Sequence, residues 1–422
     1  MNLPSRSEII LSKINKFYQI NVTDSDEVVK YALQQLLQHW SGVLEAAATA
    51  SDDELFFLNC SRAFLTNVFT VAWSKDLFKN DHSFTRQVLR TSFDLLINHI
   101  DIYTMKTTTF LISNINLIMV LASGLISILW CSDIDLFNDY EYQLLLAMRK
   151  YVDQDFTHDD LTDGIISFVW NLSDSTILIP LLLKADYAKS LIEWINTCQT
   201  KFREEKQIAL LSILLNMIRH DEGIDKFRSL NTLNAIQHVP IEPSQLLQRT
   251  MIYILLTDVN QIELESIPIL NMLVQLIIDA ANSANHRYDG SHICEPLTVL
   301  TKLFYNDEIL IDILNKPKIQ SILTPHSFIE LFISLLIKFY ENLSVDRSAL
   351  ENFTCTLILN ILWLISFHQE YYHIIYNNEQ LMNIIKSAAN NEKHFIDTFM
   401  PRTMKNIQQA AIEILKNYHE KF

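Results

Sequence analysis

Residues 164–173 read GIISFVWNLS and residues 209–218 read ALLSILLNMI, and variants of this phrase begin again near Thr250, Glu295, Leu357 and Ala410. The intervals are 45, 41, 45, 62 and 53 residues. A short apolar phrase that returns at this spacing restricts the chain to stacked supersecondary units, because no single unit can bury its own apolar face. Positions 2, 3, 5, 6 and 9 of the phrase are mostly apolar, as in Leu210, Leu211, Ile213, Leu214 and Met217. That is the broad stripe of an α-helix packed between neighbours.

A second phrase follows several copies after a polar break: LIPLLLKADYAKSLIEWI at 178–195, IDKFRSLNTLNAIQHV at 224–239, LIDILNKPKIQSIL at 310–323 and YHIIYNNEQLMNII at 372–385. Each reads as an apolar helical turn, a polar corner and another apolar helix. The 62-residue interval also holds an additional helix, SFIELFISLLIKFYENL at 327–343, with Ser327 as its expected N-cap and Glu330 three residues on. Residues 1–105 read as helical runs at 7–20, 26–49, 53–74 and 84–104 whose phrases differ from the later ones, so they form an atypical N-terminal cap. The repeats are expected over 106–422, continuous with that cap.

The two-phrase unit resembles the armadillo repeat, in which an A-x-x-x-L-x-N-L-S helix precedes an I-x-x-x-G-x-(I/L)-P-x-L-V-x-L-L corner and helix. FVWNLS at 168–173 is the nearest match, and the resemblance covers about residues 110–422. It implies an all-α, armadillo/HEAT-like superhelical solenoid. The corner glycine and proline are replaced here by ADYAKS, SLNTLN, NKPKIQ and NNEQLM.

Composition bounds the chemistry. Only 5 of 422 residues are glycine, whereas ordinary usage of roughly 7% would give about thirty. A chain so poor in glycine lacks the phosphate-cradling loops and nucleophile elbows that need positive φ or close backbone approach. Neither G-x-S-x-G nor H-E-x-x-H occurs, and an enzyme is not expected. The five cysteines are scattered without a C-x-x-C pair, as in reduced core thiols of a cytoplasmic protein. A net charge of −16 disfavours nucleic acid.

Residues 107–132 carry no charge, yet Asn114 and Asn116 interrupt the run. We expect two buried helices broken near Ser123-Gly124 rather than a membrane span. HRYDGSHICE at 286–295 reads as a solvent loop turning at Asp289-Gly290 and entering a helix at Pro296, not as a metal site. DQDFTHDDLTDG at 153–164 has His158 where a calcium loop needs glycine, so its acids are expected to cap the next helix. No metal and no cofactor is expected.

In armadillo proteins that bind extended peptides, an Asn on successive inner helices bonds the peptide backbone and a Trp four residues earlier forms pockets. By that resemblance the candidate groove residues are Ser167, Asn171, Ser212, Asn216, Tyr253, Thr257 and Asn417, with Thr257, Leu303 or Lys302, and Leu364 interrupting the Asn ladder. The expected function is a non-enzymatic signalling scaffold binding a protein partner, for charge reasons a basic segment, along a concave surface. The alternative is the regulatory region of a larger protein, since armadillo arrays precede Toll/interleukin-receptor (TIR) domains in NAD-cleaving axon-degeneration proteins. Ile412, Ile414 and Leu415 near the C-terminus are expected to dock onto a following domain, a partner or a second copy.

Overall fold

The computed structural model describes residues 9, 12, 20–49, 52–99, 109–129, 139–154, 156, 160–175, 178–198, 204–237, 245–262, 267–283, 285–288, 291–315, 324–343, 349–392 and 404–421. Those residues are all-α apart from a two-residue-per-strand ribbon, in which Arg287 pairs with His292 and Tyr288 with Ser291. The chain divides into two compact units, Met1–Ser175 with Lys184–Ser190, and Thr176–Leu183 with Leu191–Phe422.

In the first unit α1 (Asp26–Thr49) packs on α2 (Asp52–Ser74), and a single turn, α3 (Leu77–Asn80), leads into α4 (His82–Asn98). Asp81 caps α4 by accepting from Phe84 N at 2.9 Å and also accepts from Lys30 Nζ of α1 at 2.7 Å. That ion pair holds the Asp81 carboxyl below its ordinary value. Helix α5 (Thr109–Leu129) lies on α4 and on α7 (Asp160–Ser173), with α6 (Asp139–Gln154) between α4 and α7.

Helix α5 runs without interruption through Ser123-Gly124, where a break was expected. Gly124 faces Trp73 of α2, and a β-carbon on it would lie 3.4 Å from Trp73 Cζ3, an ordinary contact distance. The polar residues of this uncharged run are likewise packing residues. Asn114 is fully buried, and Asn116 donates from Nδ2 to Asp160 O at 3.0 Å. Among the described residues no helix is long and apolar enough to cross a membrane.

In the second unit five copies of the repeated phrase become helices that pack one on the next. They are α10 (Glu204–Met217), α13 (Leu246–Leu256), α15 (Cys294–Phe304), α18 (Ala349–Ile365) and α21 (Ile407–Lys421). Leu210, Leu211, Ile213, Leu214 and Met217 are all fully buried, so the wide apolar stripe is covered from two sides. This is an all-α helical-repeat array. The second phrases form α8 (Ile179–Lys184) with α9 (Tyr187–Cys198), α11 (Asp221–Ser229) with α12 (Thr232–Gln237), and α19 (Tyr372–Tyr376) with α20 (Glu379–Ala389). The other elements are α14 (Ile267–Asn282), α16 (Asp307–Asn315) and α17 (Pro325–Asn342). Residues 316–323 of the second phrase at 310–323 lie outside the described residues, as do most of the expected run at 7–20 and the loop residues Asp155, His158, Asp159, Asp289 and Gly290.

The corners keep the left-handed backbone that glycine supplies in the armadillo pattern, but use short polar residues instead. Asp186 has φ 61° between α8 and α9, and Asn231 has φ 53° between α11 and α12. Asp and Asn tolerate this region better than other β-carbon-bearing residues, which is how a chain with 5 glycines turns these corners. The corner before α20 does without positive φ: Asn377 has φ −81°, and the Asn378 side chain accepts from Leu381 N.

Two local expectations are corrected. Thr324, not Ser327, is the N-cap of α17: Pro325 occupies the first helical position and Ser327 the third, where it closes the capping box. The segment before Pro296 is not a solvent loop, since His292, Cys294 and Glu295 are buried. His292 N donates to Glu295 Oε1 at 2.9 Å and Cys294 N to His292 Nδ1 at 3.2 Å, and burial holds the imidazole well below its ordinary pKa. Among the described residues no cluster of His, Cys, Asp or Glu could hold a metal ion.

Candidate partner-binding site

The C-terminal end of α13 leaves carbonyls without intrahelical donors. Two cations from other repeats supply them. Lys302 Nζ of α15 donates to Leu255 O and to Thr257 O, each at 2.6 Å. Arg228, at the end of α11, donates from Nε to Leu256 O at 2.7 Å and from Nη2 to Thr257 O at 3.3 Å. The negative end of the helix dipole favours cations at this place.

Lys302 stands at position 8 of its phrase, the position filled by Asn216 and Asn417 in other copies. The same register is used at another joint: Asn417 Nδ2 donates to Ser366 Oγ at 2.8 Å, and Ser366 closes α18 by donating to Trp363 O at 2.6 Å. At both joints a polar side chain of one copy completes the helix end of the copy before it.

Beside the α13 end lies a cavity of about 220 Å³. Ile218, Ile224, Leu255 and Val259 give it apolar walls, and Asp221, Asp225 and Asp258 bring carboxylates to it. Asp225 and Asp258 are exposed, so they stand at its mouth. Arg219 also lines it but is 1% exposed, donating from Nη1 to Cys294 Sγ at 3.2 Å and from Nε to Asn216 O at 3.4 Å. Burial, reinforced by Arg228, pulls the Lys302 pKa down to about 8, against a smaller upward pull from Asp258. Tyr305, the residue that follows α15 at its C-terminal cap, is pushed up to about 12 by burial and donates to Asn360 Oδ1 at 3.4 Å.

Of the seven groove candidates, Ser212, Asn216, Thr257 and Asn417 are buried in the second unit. Ser212 Oγ accepts from Gln248 Nε2 at 2.7 Å, and Thr257 offers its carbonyl to Lys302 and Arg228. Tyr253 on α13 is exposed. In the first unit Ser167 and Asn171 are exposed, and Asn171 Nδ2 donates back to Ser167 O at 3.0 Å. Sequence reasoning passed over Lys302 as an interruption and did not single out Arg228 or Asp258. The available signal was charge: Lys302 is the one cation at position 8 among the six copies. The C-terminal helix α21 packs on α18 and α20, with Ile414 fully buried and Ile412 and Leu415 partly so.

No family model matches the chain, and no curated protein matches it. Among solved structures the chain is similar to one from work on a phosphorylation switch that controls the interaction between cadherin and beta-catenin. The identity is 13%, the match covers 98% of this chain and 86% of that chain, and the TM-score is 0.41.

Proposed function

We propose that the chain is a non-enzymatic helical-repeat scaffold that binds a protein partner, and that the partner places a basic side chain in the cavity beside the end of α13. The observation that carries this reading is the distribution of charge around the cavity. Its cations are turned away from it energetically: Lys302 and Arg228 offset the carbonyl end of a helix, and Arg219 is bonded to Cys294 and a carbonyl. Its exposed carboxylates, Asp225 and Asp258, sit at the mouth above apolar walls. A Lys or Arg side chain suits that arrangement, with its methylene stem on Ile224 and Val259 and its head among carboxylates. The net charge of −16 steers a basic segment inward and speeds encounter. Tyr253, exposed on α13, supplies an aromatic contact on the same helix.

Fluorescence anisotropy with a Lys/Arg-rich peptide and an acidic peptide of equal length tests the proposal. The basic peptide should bind with an affinity that falls as salt rises. The double variant Asp225→Lys/Asp258→Lys changes only exposed side chains and should weaken it by about tenfold or more. Equal affinity of wild type and double variant would overturn the proposal.

A further inference from the structure

His292 joins the ribbon to the start of α15. Its Nδ1 accepts from Cys294 N at 3.2 Å, and Cys294 is the first residue of that helix, whose opening N–H groups have no intrahelical partner. Its own backbone N donates to Glu295 Oε1 at 2.9 Å, and the next residue, Ile293, donates from N to His286 O at 3.0 Å. The imidazole is buried, at 5% exposure. A ring nitrogen that accepts a bond uses its lone pair to do so, which holds His292 neutral with its proton on Nε2. A second proton would sit on Nδ1 against another N–H, and would place a cation at the positive end of the α15 dipole. The surroundings add to the repulsion. Arg287 across the ribbon, Arg219 beyond the end of α10 and His286 all disfavour the imidazolium. Lys338 of α17, which donates to Ala281 O at 2.8 Å, acts in the same way on His286. Glu295 accepts from His292 N, and Asp279, the one ionisable side chain of α14, accepts from Gln275 at 2.9 Å.

We propose that His292 is an acid-sensing cap: a proton on its Nδ1 releases the ribbon from α15 and lowers the affinity of the neighbouring cavity for a basic side chain. The second half rests on the proposed function. The path between the two is short. Cys294, whose N–H His292 receives, holds Arg219 through its sulfur at 3.2 Å, and Arg219 lines the cavity. When the first turn of α15 loosens, Arg219 loses that acceptor and turns its charge toward the cavity carboxylates, where it competes with the incoming cation. The direction of the pH effect follows from the ring being neutral in the closed state. The released ring takes up a proton at the ordinary histidine value of about 6.5, and the capped ring does so only at lower pH. The closed joint therefore keeps its full stability above about 6.5 and loses it progressively as pH falls below that value.

Hydrogen exchange of the full chain, corrected for the intrinsic rate at each pH and read by mass spectrometry, tests the cap. From about pH 7.5 to about 5.5 the protection of 286–297 should fall about tenfold or more, the ratio set by one histidine of ordinary pKa, while 209–218 keeps its protection. His292→Asn retains an acceptor oxygen but does not titrate, so its fall should be smaller by about tenfold. An unchanged wild-type profile overturns the inference whether or not the variant folds. So does a fall shared with 209–218, or an equal fall in His292→Asn. The link to the cavity is read with the Lys/Arg-rich peptide. Its affinity should drop more on acidification in wild type than in His292→Asn, the cavity carboxylates contributing alike to both. Equal drops overturn the link. Acid-labile protection with no peptide binding at any pH supports the cap and removes only the partner reading.

Discussion

Asn116 fills the space that a β-carbon on Gly164 would need: the added atom would lie 2.0 Å from Asn116 Oδ1. Replacing a helical glycine by alanine ordinarily stabilises by about 0.5–1 kcal/mol. Here the overlap dominates, and Gly164→Ala is expected to destabilise by about 1–3 kcal/mol in urea unfolding. Asn116→Ala in the same chain should recover part of the loss, although it deletes the bond to Asp160 O. A double variant no more stable than Gly164→Ala alone would show that another contact is responsible.

Gly223 is in a tighter position, since its added β-carbon would stand 1.9 Å from Met217 O. A backbone carbonyl at the end of α10 cannot swing aside as a side chain can. Gly223→Ala is therefore expected to cost more than Gly164→Ala, and hydrogen exchange should show the loss first in 214–230.

The corner residues predict a difference between two small substitutions. At Asn231 a glycine removes the β-carbon strain of φ 53°, whereas alanine keeps the strain and loses the polar side chain. Asn231→Ala should be less stable than Asn231→Gly by about 1 kcal/mol, and Asp186 should behave the same way. Equal stabilities would mean that these corners relax out of the left-handed region.

Lys302 and Tyr305 move stability with pH in opposite directions. Between about 8 and 10.5 the unfolded chain retains a proton on Lys302 that the folded chain has lost, so raising pH through this window favours the folded state. Tyr305 keeps its proton in the folded state up to about 12 while the unfolded phenol ionises near 10, so raising pH through that second window favours unfolding. In thermal melts across this range, Lys302→Met should abolish the rise and Tyr305→Phe the fall. A rise of equal size in Lys302→Met would assign it to another group.

Thr324 accepts from Ser327 N at 3.1 Å, and Ser327 Oγ accepts from Thr324 N at 2.8 Å. Losing either half of this reciprocal cap at α17 should cost about 1 kcal/mol, and the double loss less than the sum of the two. A double-variant cycle in denaturant measures it.

The apolar stripe was legible because its cause is local: a helix covered on two sides repeats its apolar residues every three or four positions. What remained hidden depended on atoms far along the chain. Gly124 looked like a helix breaker because Trp73, the ring it faces, is on another helix. Lys302 looked like a fault in an Asn ladder because the carbonyls it caps are 45 and 47 residues earlier. Asn216 and Asn417 matched a peptide-binding pattern by type, but spacing alone does not say whether a polar side chain faces a partner or a neighbouring repeat, and both are buried. Thr324 could have been found by placing Pro325 at the first helical position and reading the cap one residue before it.

The trans-capped end of α13 also sets a timetable for synthesis. A ribosome that adds about 5–20 residues per second delivers Lys302 roughly 2–9 seconds after Thr257, the residue whose carbonyl it must meet 45 positions back. Arg228 lies 29 positions ahead of Thr257 and is therefore already present when that carbonyl emerges. The arginine can hold the nascent helix end during the wait, and the lysine arrives to finish it, so the joint closes in two strokes as the chain lengthens.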